Sequence, residues 1–219
     1  MKYKLICFDL DGVLVKEKSS WEHIHKVLGV DMKTRVENII NYSFGKIDYH
    51  KWVEMDVELW KIKNKDLNLD TIRSIVSMID INEEAIECIN ELKKMELKIA
   101  IISAGIYELA QRIAQILGIE IVYANPLPVN SHNIITAKPL ARIIPFSKSR
   151  IIVHLAKRLG ISLEETVYVG DSLWDLSALN TVGCSIGYRV NRLVSKYVDV
   201  VINDLREIPR ILKLDCMKS

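Results

Sequence analysis

The sequence predicts an α/β fold in which a parallel sheet is covered by helices on both faces. Short apolar runs without polar alternation are typical of strands buried on both faces, and amphipathic stretches separate these runs. The runs occupy residues 5–8, 99–102, 119–123, 167–169 and 198–202. Strands that alternate with helices form parallel sheets by right-handed crossovers, and ligands bind at the carboxyl ends of the strands. Polar residues just after three of the runs, Asp9, Ser103 and Asp171, therefore mark the predicted site.

Helices and loops are predicted from apolar spacing, glycine and proline. Residues 83–95 and 107–117 each carry an apolar stripe at helical spacing. Gly118 and Gly160 follow amphipathic stretches and are expected as helix C-caps. Four of the five prolines fall between residues 125 and 146, which predicts a loop or hairpin there rather than a helix. They are Pro126, Pro128, Pro139 and Pro145.

A helical insertion is expected after the first strand. Residues 17–79 contain no clear strand-like run and no proline, but they hold three of the four tryptophans, Trp21, Trp52 and Trp60. Capping and breaker residues predict helices over residues 20–28, 31–42, 48–63 and 69–78. We expect the tryptophans to be core residues of this helical unit more than pocket residues. The predicted division is a core domain of residues 1–15 and 80–219 and a helical domain of residues 16–79.

Composition excludes several classes of partner. The 219 residues hold 30 Lys and Arg against 28 Asp and Glu, a net charge of +2, so no basic field for nucleic acid is expected. The four cysteines are scattered without metal-ligand spacing, and we expect reduced, mostly buried thiols. Asp9 interrupts the N-terminal run before a signal-peptide apolar region forms, and no stretch approaches 18 apolar residues. A cytoplasmic protein without membrane contact is expected.

Four carboxylates are predicted to converge at the ends of two strands. Asp9 and Asp11 follow the first strand, where Gly12 allows a sharp turn, and Asp171 and Asp175 follow the strand at residues 167–169. Two like charges about 4 Å apart repel by roughly 4 kcal/mol at an effective dielectric of 20, so protons or a cation must neutralise the cluster, and a divalent cation is favoured. Oxygen-only ligands favour Mg²⁺ over Zn²⁺.

Phosphoryl transfer is the leading reaction class for such a site. A bound metal allows an anionic carboxylate to approach a phosphoryl group, and aspartate is a covalent nucleophile in aspartyl-phosphate chemistry. Ser103 with the following Ala104-Gly105 could hold phosphoryl oxygens, although an ordinary helix N-cap is the simpler interpretation of this serine alone. Lys148 opens a later helix, where a cation could steady the nucleophile and the transferring group.

Taken in chain order, four segments resemble the motifs of the haloacid dehalogenase-like (HAD) phosphohydrolase superfamily. They are Asp9-Leu10-Asp11-Gly12-Val13, Ser103-Ala104-Gly105, Lys148 and Gly170-Asp171-Ser172-Leu173-Trp174-Asp175. The resemblance spans nearly the whole chain and implies a Rossmann-like core with a small helical cap inserted after the first strand. The position of the cap and the segment Ala124-Asn125-Pro126-Leu127 resemble the phosphoserine phosphatase-like branch.

The resemblance implies a role for each motif residue. Asp9 would attack phosphorus to form an aspartyl-phosphate, and Asp11 would protonate the leaving oxygen and then activate water. Mg²⁺ would be held by the side chains of Asp9 and Asp171 and by the backbone carbonyl of Asp11, with Asp175 in a supporting position. The phosphoryl group would be bound by Ser103, Ala104, Gly105 and Lys148.

The expected activity is hydrolysis of a small phosphorylated metabolite by a monomer or homodimer. Asp11 argues against dehalogenases and ion pumps of the superfamily and, with the cap, against a receiver domain. The D-x-D-G-V form is also common among sugar phosphomutases, so a phosphomutase or phosphotransferase stays an alternative, as does a non-catalytic phospho-ligand-binding protein. Phosphoserine is not favoured as the substrate, because phosphoserine phosphatases usually have Ser, Thr and Asn where this chain has Gly12, Val13 and Trp174.

Overall fold

In the computed structural model, which describes residues 2–136 and 142–216, six strands form one parallel sheet. The strands are β1 (Leu5–Phe8), β2 (Lys98–Ile106), β3 (Ile121–Asn125), β4 (Thr166–Gly170), β5 (Cys184–Tyr188) and β6 (Val200–Ile202). Their order across the sheet is β3-β2-β1-β4-β5-β6. The α/β prediction is confirmed, and β1, which carries Asp9 and Asp11 at its end, lies between β2 and β4.

Nine α-helices occur in the same described residues. They are α1 (Ser20–Val27), α2 (Met32–Ser43), α3 (Tyr49–Lys63), α4 (Leu69–Ser77), α5 (Glu83–Lys94), α6 (Tyr107–Leu117), α7 (Lys148–Leu159), α8 (Leu176–Leu179) and α9 (Ile208–Lys213). The four helices predicted between residues 20 and 78 are present within two residues of their expected ends. Each begins after a residue whose side chain accepts a backbone N–H of the first turn, as capping residues do: Ser19, Asp31, Asp48 and Asn68.

The core is built on both faces of the sheet, as continuous apolar strands require. Leu5 and Cys7 point to the face covered by α7 and α8, and Ile6 and Phe8 point to the face covered by α5, α6 and α9. The second face continues into the helices that follow β1, where Trp60 is fully buried. Trp60 therefore has the predicted core role.

Two short connections join α1–α4 to the rest of the chain, and they run side by side. Val15 forms an antiparallel bridge with Ile81, and the Lys16 amide donates to the Asp80 carbonyl oxygen at 3.0 Å. The Asn82 amide donates in turn to the Leu14 carbonyl oxygen at 2.9 Å. We propose that this paired crossing is the boundary between a core domain of residues 1–15 and 80–219 and a cap domain of residues 16–79.

The segment after β3 forms a hairpin-like loop where it is described. Val129 and Ile135 make an isolated antiparallel bridge, and Pro145 opens a three-residue 3-10 turn before α7. The prediction for Pro139 lies outside the described residues. Gly118 and Gly160 end α6 and α7 in the left-handed conformation, at φ 60° and 67°, so both C-cap predictions are confirmed.

The expectation that all four cysteines are reduced is wrong for two of them. Cys184, the first residue of β5, and Cys216, just after α9, form a disulfide with a Cα–Cα distance of 6.1 Å. The two residues are 32 positions apart, and only the tertiary fold brings them within bridging distance. Cys7 and Cys88 are buried free thiols, as predicted. None of the helices in the described part of the chain has the length and apolar composition needed to cross a bilayer.

Candidate active site

The predicted site residues meet at the carboxyl edge of the sheet because three adjacent strands end there. Phe8 of β1 pairs with Ile101 of β2 on one side and with Val169 of β4 on the other. The residues that follow these partners in each strand therefore face one space. Asp9, Asp11, Ser103, Lys148 and Asp171 all line the same cavity, together with Ala104 and Gly105.

Asp9 is a buried carboxylate with both oxygens oriented. Its Oδ1 accepts the Leu10 amide at 2.8 Å, and its Oδ2 lies 2.9 Å from the Lys148 ammonium. Burial raises the pKa of Asp9 well above its ordinary value; the attraction of Lys148 opposes this shift, and the charges of Asp175 and Asp171 add to it. The Asp9 carboxylate is therefore fixed in position, and its buried negative charge needs a compensating positive charge.

Lys148 links two carboxylates from the first residue of α7. Its Nζ lies 2.7 Å from Asp175 Oδ1 as well as 2.9 Å from Asp9, and its side chain is 2% exposed. Burial would lower the pKa of Lys148, but Asp175 and Asp9 together raise it above its ordinary value. The Tyr168 hydroxyl also donates to Asp175 Oδ1, at 2.8 Å. Lys148 is therefore charged and fixed beside Asp9.

Asp175 is a structural support for the loop after β4. Its Oδ2 accepts the amides of Asp171 and Ser172 and the Ser172 hydroxyl, each at 3.2 Å. Although burial would raise its pKa, Lys148 and these hydrogen bonds hold the pKa of Asp175 below its ordinary value. Both oxygens of Asp175 therefore have protein donors as partners.

Asp11 points at the start of α1. Its Oδ2 accepts the amide of Ser20 at 2.9 Å and the hydroxyl of Ser20 at 2.7 Å, whereas its Oδ1 is buried without a partner among the described residues. Burial raises the pKa of Asp11 to about 6, and the two hydrogen bonds from Ser20 limit the rise. An acid with this pKa can exchange a proton near neutral pH. Sequence reasoning did not find Ser20, which was assigned only to a helix start.

Asp171 pairs with a lysine that sequence reasoning missed. The Lys18 ammonium lies 2.7 Å from Asp171 Oδ2, although the Lys18 side chain is 65% exposed. Burial raises the pKa of Asp171, and Lys18 opposes the rise. Gly12 sits beside this pair at φ 74°, where a side chain would overlap the Asp171 carboxylate. The sequence offered no signal for Lys18, which is one of many lysines interleaved with acidic residues.

The residues present fit a hard divalent cation. Ligand oxygens of Asp9, Asp171 and Asp175 lie within 4.8 Å of one another, and histidine and cysteine are absent from this cluster of described residues. The raised pKa values of Asp9 and Asp171 reflect charge that a cation would stabilise. Asp9 and Asp171 are the members best able to bind it, because each of their oxygens has at most one protein partner in the described structure, whereas Asp175 accepts two donors at Oδ1 and three at Oδ2.

Ser103 is not a helix N-cap, which corrects the simpler interpretation of its sequence context. It lies inside β2, and α6 begins only at Tyr107, after Ile106, whose side chain makes no capping bond. The pairing of β2 with β3 shifts register between Ile102 and Ile106, so residues 103–105 bulge towards the cavity. The buried Ser103 hydroxyl accepts the Gly105 amide at 3.0 Å.

The carbonyl of Ala104 joins the helical insertion to the sheet. It accepts hydrogen bonds from Trp21 Nε1 at 3.2 Å, the Tyr49 hydroxyl at 3.0 Å and Asn125 Nδ2 at 3.0 Å. Asn125 also accepts the amides of Arg142 and Ile143 at its Oδ1, 2.8 Å from each. This asparagine, quoted above only as part of a motif, thus fixes the loop before α7 against the site.

The cavity has a volume of about 360 Å³, and its outer wall is aromatic. Trp21 and Trp52 line the cavity, so both contribute to the pocket and not only to the helical core. Trp21 also stacks on Trp60, with 5.3 Å between the ring centroids. The ring of Trp174, from the loop after β4, packs near two rings of the helical insertion. Its centroid lies 5.9 Å from that of Tyr42 and 6.2 Å from that of Trp52. These ring contacts join the loop after β4 to α2 and α3 beside the cavity.

The two histidines of α1, His23 and His25, lie in different surroundings. The Nδ1 atom of His23 lies 3.2 Å from Glu17 Oε1. His25 is fully buried, with its Nε2 atom 3.5 Å from Asp56 Oδ1, and Trp60 Nε1 donates to its Nδ1 at 2.8 Å.

The buried polar groups Arg35 and Asp56 also line the cavity, and sequence reasoning singled out neither.

Comparisons with known proteins agree with this architecture. A protein-family model described as haloacid dehalogenase-like hydrolase matches residues 3–183. The phosphoserine phosphatase of Methanocaldococcus jannaschii is 30% identical over 215 residues, which are 97% of this chain and 99% of that protein. A substrate-bound phosphoserine phosphatase structure superposes with a TM-score of 0.79 at 28% identity, covering 98% of this chain and 99% of that one. A phospho-aspartyl intermediate analogue of phosphoserine phosphatase gives 0.77 at the same identity and coverage.

Proposed function

The chain belongs to the haloacid dehalogenase-like hydrolase family and is a phosphatase, and we propose that it hydrolyses a small phosphomonoester through an aspartyl-phosphate on Asp9 with Mg²⁺ bound. The observation that carries this proposal is the placement of three groups around one cavity. Asp9 is oriented by Lys148, and Asp11 lies beside it with a pKa of about 6. A nucleophile, an acid and a fixed cation are the groups that the reaction requires.

In the first step, an oxygen of Asp9 attacks phosphorus and the bond to the substrate alcohol breaks. Asp11 transfers its proton to the leaving oxygen, so the alcohol departs neutral. The Lys148 ammonium and the Ser103 hydroxyl bind phosphoryl oxygens, with backbone groups of Ala104 and Gly105 next to them. The arrangement of Lys148 between Asp9 and Asp175 supports this role, because the ammonium is immobile before substrate arrives.

In the second step, the ionised Asp11 removes a proton from water, which attacks phosphorus and releases phosphate and Asp9. Ser20 keeps the Asp11 carboxylate aimed at the same place in both steps. Mg²⁺, held by Asp9, Asp171 and the Asp11 carbonyl, would screen the negative charge that the carboxylate and the phosphoryl group bring together. The raised pKa of Asp11 suits a group that gives and then takes a proton near neutral pH.

The finer assignments belong to the same proposal. We expect a cytoplasmic protein that acts on a small phosphorylated metabolite as a monomer or homodimer, without nucleic acid or membrane. Phosphoserine, the substrate named for the relatives, is not favoured as the substrate here, for the reasons given by Gly12, Val13 and Trp174. Light scattering coupled to size exclusion distinguishes the two assembly states.

The first test is phosphate release from a broad panel of phosphomonoesters, with Mg²⁺ or with EDTA. We expect Mg²⁺-dependent release by the wild type and a loss of at least about 10³-fold in kcat for Asp9→Asn, because the amide is not a nucleophile. Asp66→Asn, an exposed aspartate in the α3–α4 connection, is the matched control and retains activity. Full activity of Asp9→Asn would contradict the aspartyl-phosphate, and transfer to a sugar faster than to water would favour a phosphomutase.

A further inference from the structure

The wall of the cavity formed by residues 16–79 carries four charged side chains, and they differ in how far each is neutralised. They are Lys18, Glu22, Arg35 and Asp56. Lys18 pairs with Asp171 at 2.7 Å. Arg35 Nη1 lies 3.5 Å from Glu22 Oε2, and its Nη2 donates to the Ser19 hydroxyl at 3.2 Å. Both cations on this wall therefore already face a carboxylate.

Asp56 has no cationic partner of this kind. It is 2% exposed, and its Oδ1 accepts Asn38 Nδ2 at 3.2 Å and lies 3.5 Å from His25 Nε2. Its Oδ2 has no hydrogen-bond partner within residues 2–136 and 142–216. A buried carboxylate with one free oxygen is unfavourable unless a ligand supplies a cation or a donor.

The hydrogen bonds of His25 decide whether this side chain donates to Asp56. Trp60 Nε1 lies 2.8 Å from His25 Nδ1, and an indole N–H can only donate, so Nδ1 accepts. The Trp21 carbonyl oxygen lies 2.9 Å from the same nitrogen, but this carbonyl belongs to the hydrogen-bond ladder of α1, whereas the indole has no other acceptor in the described structure. The other ring nitrogen, Nε2, lies 3.5 Å from Asp56 Oδ1 and makes no hydrogen bond within the described residues, so His25 supplies no close donor to Asp56.

The rings around Asp56 suit a cationic ligand. Trp21, Tyr49 and Trp52 line the same cavity, and the faces of such rings attract ammonium groups. Trp52 and Asp56 both lie on α3, one turn apart, so a carboxylate and an indole lie side by side in the wall of the cavity that also holds the nucleophile.

We infer that Asp56, with Trp52, selects phosphomonoesters whose alcohol carries an ammonium group but no carboxylate, such as ethanolamine phosphate or choline phosphate. The inference rests on the proposed phosphatase function and adds the substrate class to it. In the complex, the ammonium contacts Asp56 Oδ2 and the ring of Trp52 while the phosphoryl group lies between Asp9, Ser103 and Lys148. Arg35 stays beside Glu22, and the negative charge of Glu22 disfavours a substrate carboxylate there.

The test compares kcat/KM for ethanolamine phosphate and for 2-hydroxyethyl phosphate, which has a hydroxyl in place of the ammonium. We expect the amine ester to be favoured at least about tenfold in the wild type, the size of a charge-assisted hydrogen bond. Asp56→Asn is expected to bring the ratio close to one. Glu58→Gln, an exposed carboxylate of the same helix, is the matched control and keeps the wild-type ratio.

A second variant keeps the test decisive where Asp56→Asn folds poorly. Trp52→Leu removes the ring and is expected to lower the ratio by roughly 3–30-fold, the range of a desolvated cation–π contact. Equal hydrolysis of both esters by the wild type, or a preference for O-phosphoserine over ethanolamine phosphate by tenfold or more, would overturn the inference and leave the phosphatase function intact. No Mg²⁺-dependent release from these esters or from 4-nitrophenyl phosphate would overturn the proposed function itself.

Discussion

The buried ammonium of Lys148 compensates the charge of two aspartates in the candidate site. It stands between Asp9 and Asp175, and both carboxylates are buried with it. The motif pattern of the sequence predicted this lysine, but its role as the counter-charge of two aspartates depends on α7 lying beside the ends of β1 and β4. Neither aspartate is within 25 residues of Lys148 along the chain.

Lys148→Met is expected to lower the free energy of unfolding by about 3–5 kcal/mol in EDTA, because two buried carboxylates lose their cation. Urea unfolding at pH 7 measures the change. The double variant Lys148→Met with Asp9→Asn should recover part of the loss, since one of the uncompensated charges is gone. Strict additivity of the two single effects would contradict this account.

Glu108 is a buried carboxyl group outside the candidate site, in the first turn of α6. Its Oε2 is buried without a partner among the described residues. Burial raises the pKa of Glu108 above its ordinary value, while its own backbone amide and Arg73 oppose the rise. A raised pKa in the folded state means that the native protein favours the protonated form. Stability is then full below the ordinary pKa of 4.5 and falls as pH rises through the raised value.

Glu108→Gln is therefore expected to raise the free energy of unfolding by roughly 1 kcal/mol at pH 7, because an unpartnered buried charge is replaced by a neutral amide. The gain should vanish near pH 4, where Glu108 is protonated in both states. Thermal or urea unfolding from pH 4 to 8 measures it. Glu120→Gln, at an exposed site, should show no such change of stability with pH. A stability difference for Glu108→Gln that does not depend on pH would contradict the explanation.

At the scale of elements, helix boundaries were predicted well because they depend on local groups. The helices of residues 16–79 begin at side chains that satisfy free amides, and α6 and α7 end at glycines. β5 was missed, because Ser185 and Gly187 interrupt its apolar run. A helix N-cap was the simpler interpretation of Ser103 taken alone, because serine caps helices, whereas the pairing of β2 with β3 extends the strand through this residue.

Gly160→Ala tests the local origin of one boundary. Gly160 has φ 67°, and no heavy atom lies within 4 Å of the position that a Cβ would take, so the substitution changes backbone strain alone. We expect a loss of about 1 kcal/mol in the free energy of unfolding, measured by urea denaturation. Lys157→Ala in the last turn of α7 is the control and should change stability by less than about 0.5 kcal/mol. A neutral Gly160→Ala would mean that α7 does not need this cap.

At the scale of the whole molecule, the disulfide between Cys184 and Cys216 closes a loop of 32 residues around β6 and α9. Removing it with Cys216→Ser is expected to lower the free energy of unfolding by about 3–4 kcal/mol, the chain-entropy value for a loop of this length. Urea unfolding with and without a reductant measures the effect. Reductant should destabilise the wild type and leave Cys216→Ser unchanged; equal stability under both conditions would show that the bond is not formed.

By itself, the sequence determined the α/β class, the helical insertion after β1 and the set of aspartates at strand ends. These features depend on the spacing of apolar residues and on helix-capping groups, which act over a few residues, and on the order of the strands in one continuous sheet. Only the tertiary structure brought Lys18 to Asp171, Ser20 to Asp11 and Cys184 to Cys216. It also buried Asp56 in the cavity wall next to His25. Such contacts join residues far apart along the chain, and no local pattern specifies which of many similar side chains will meet.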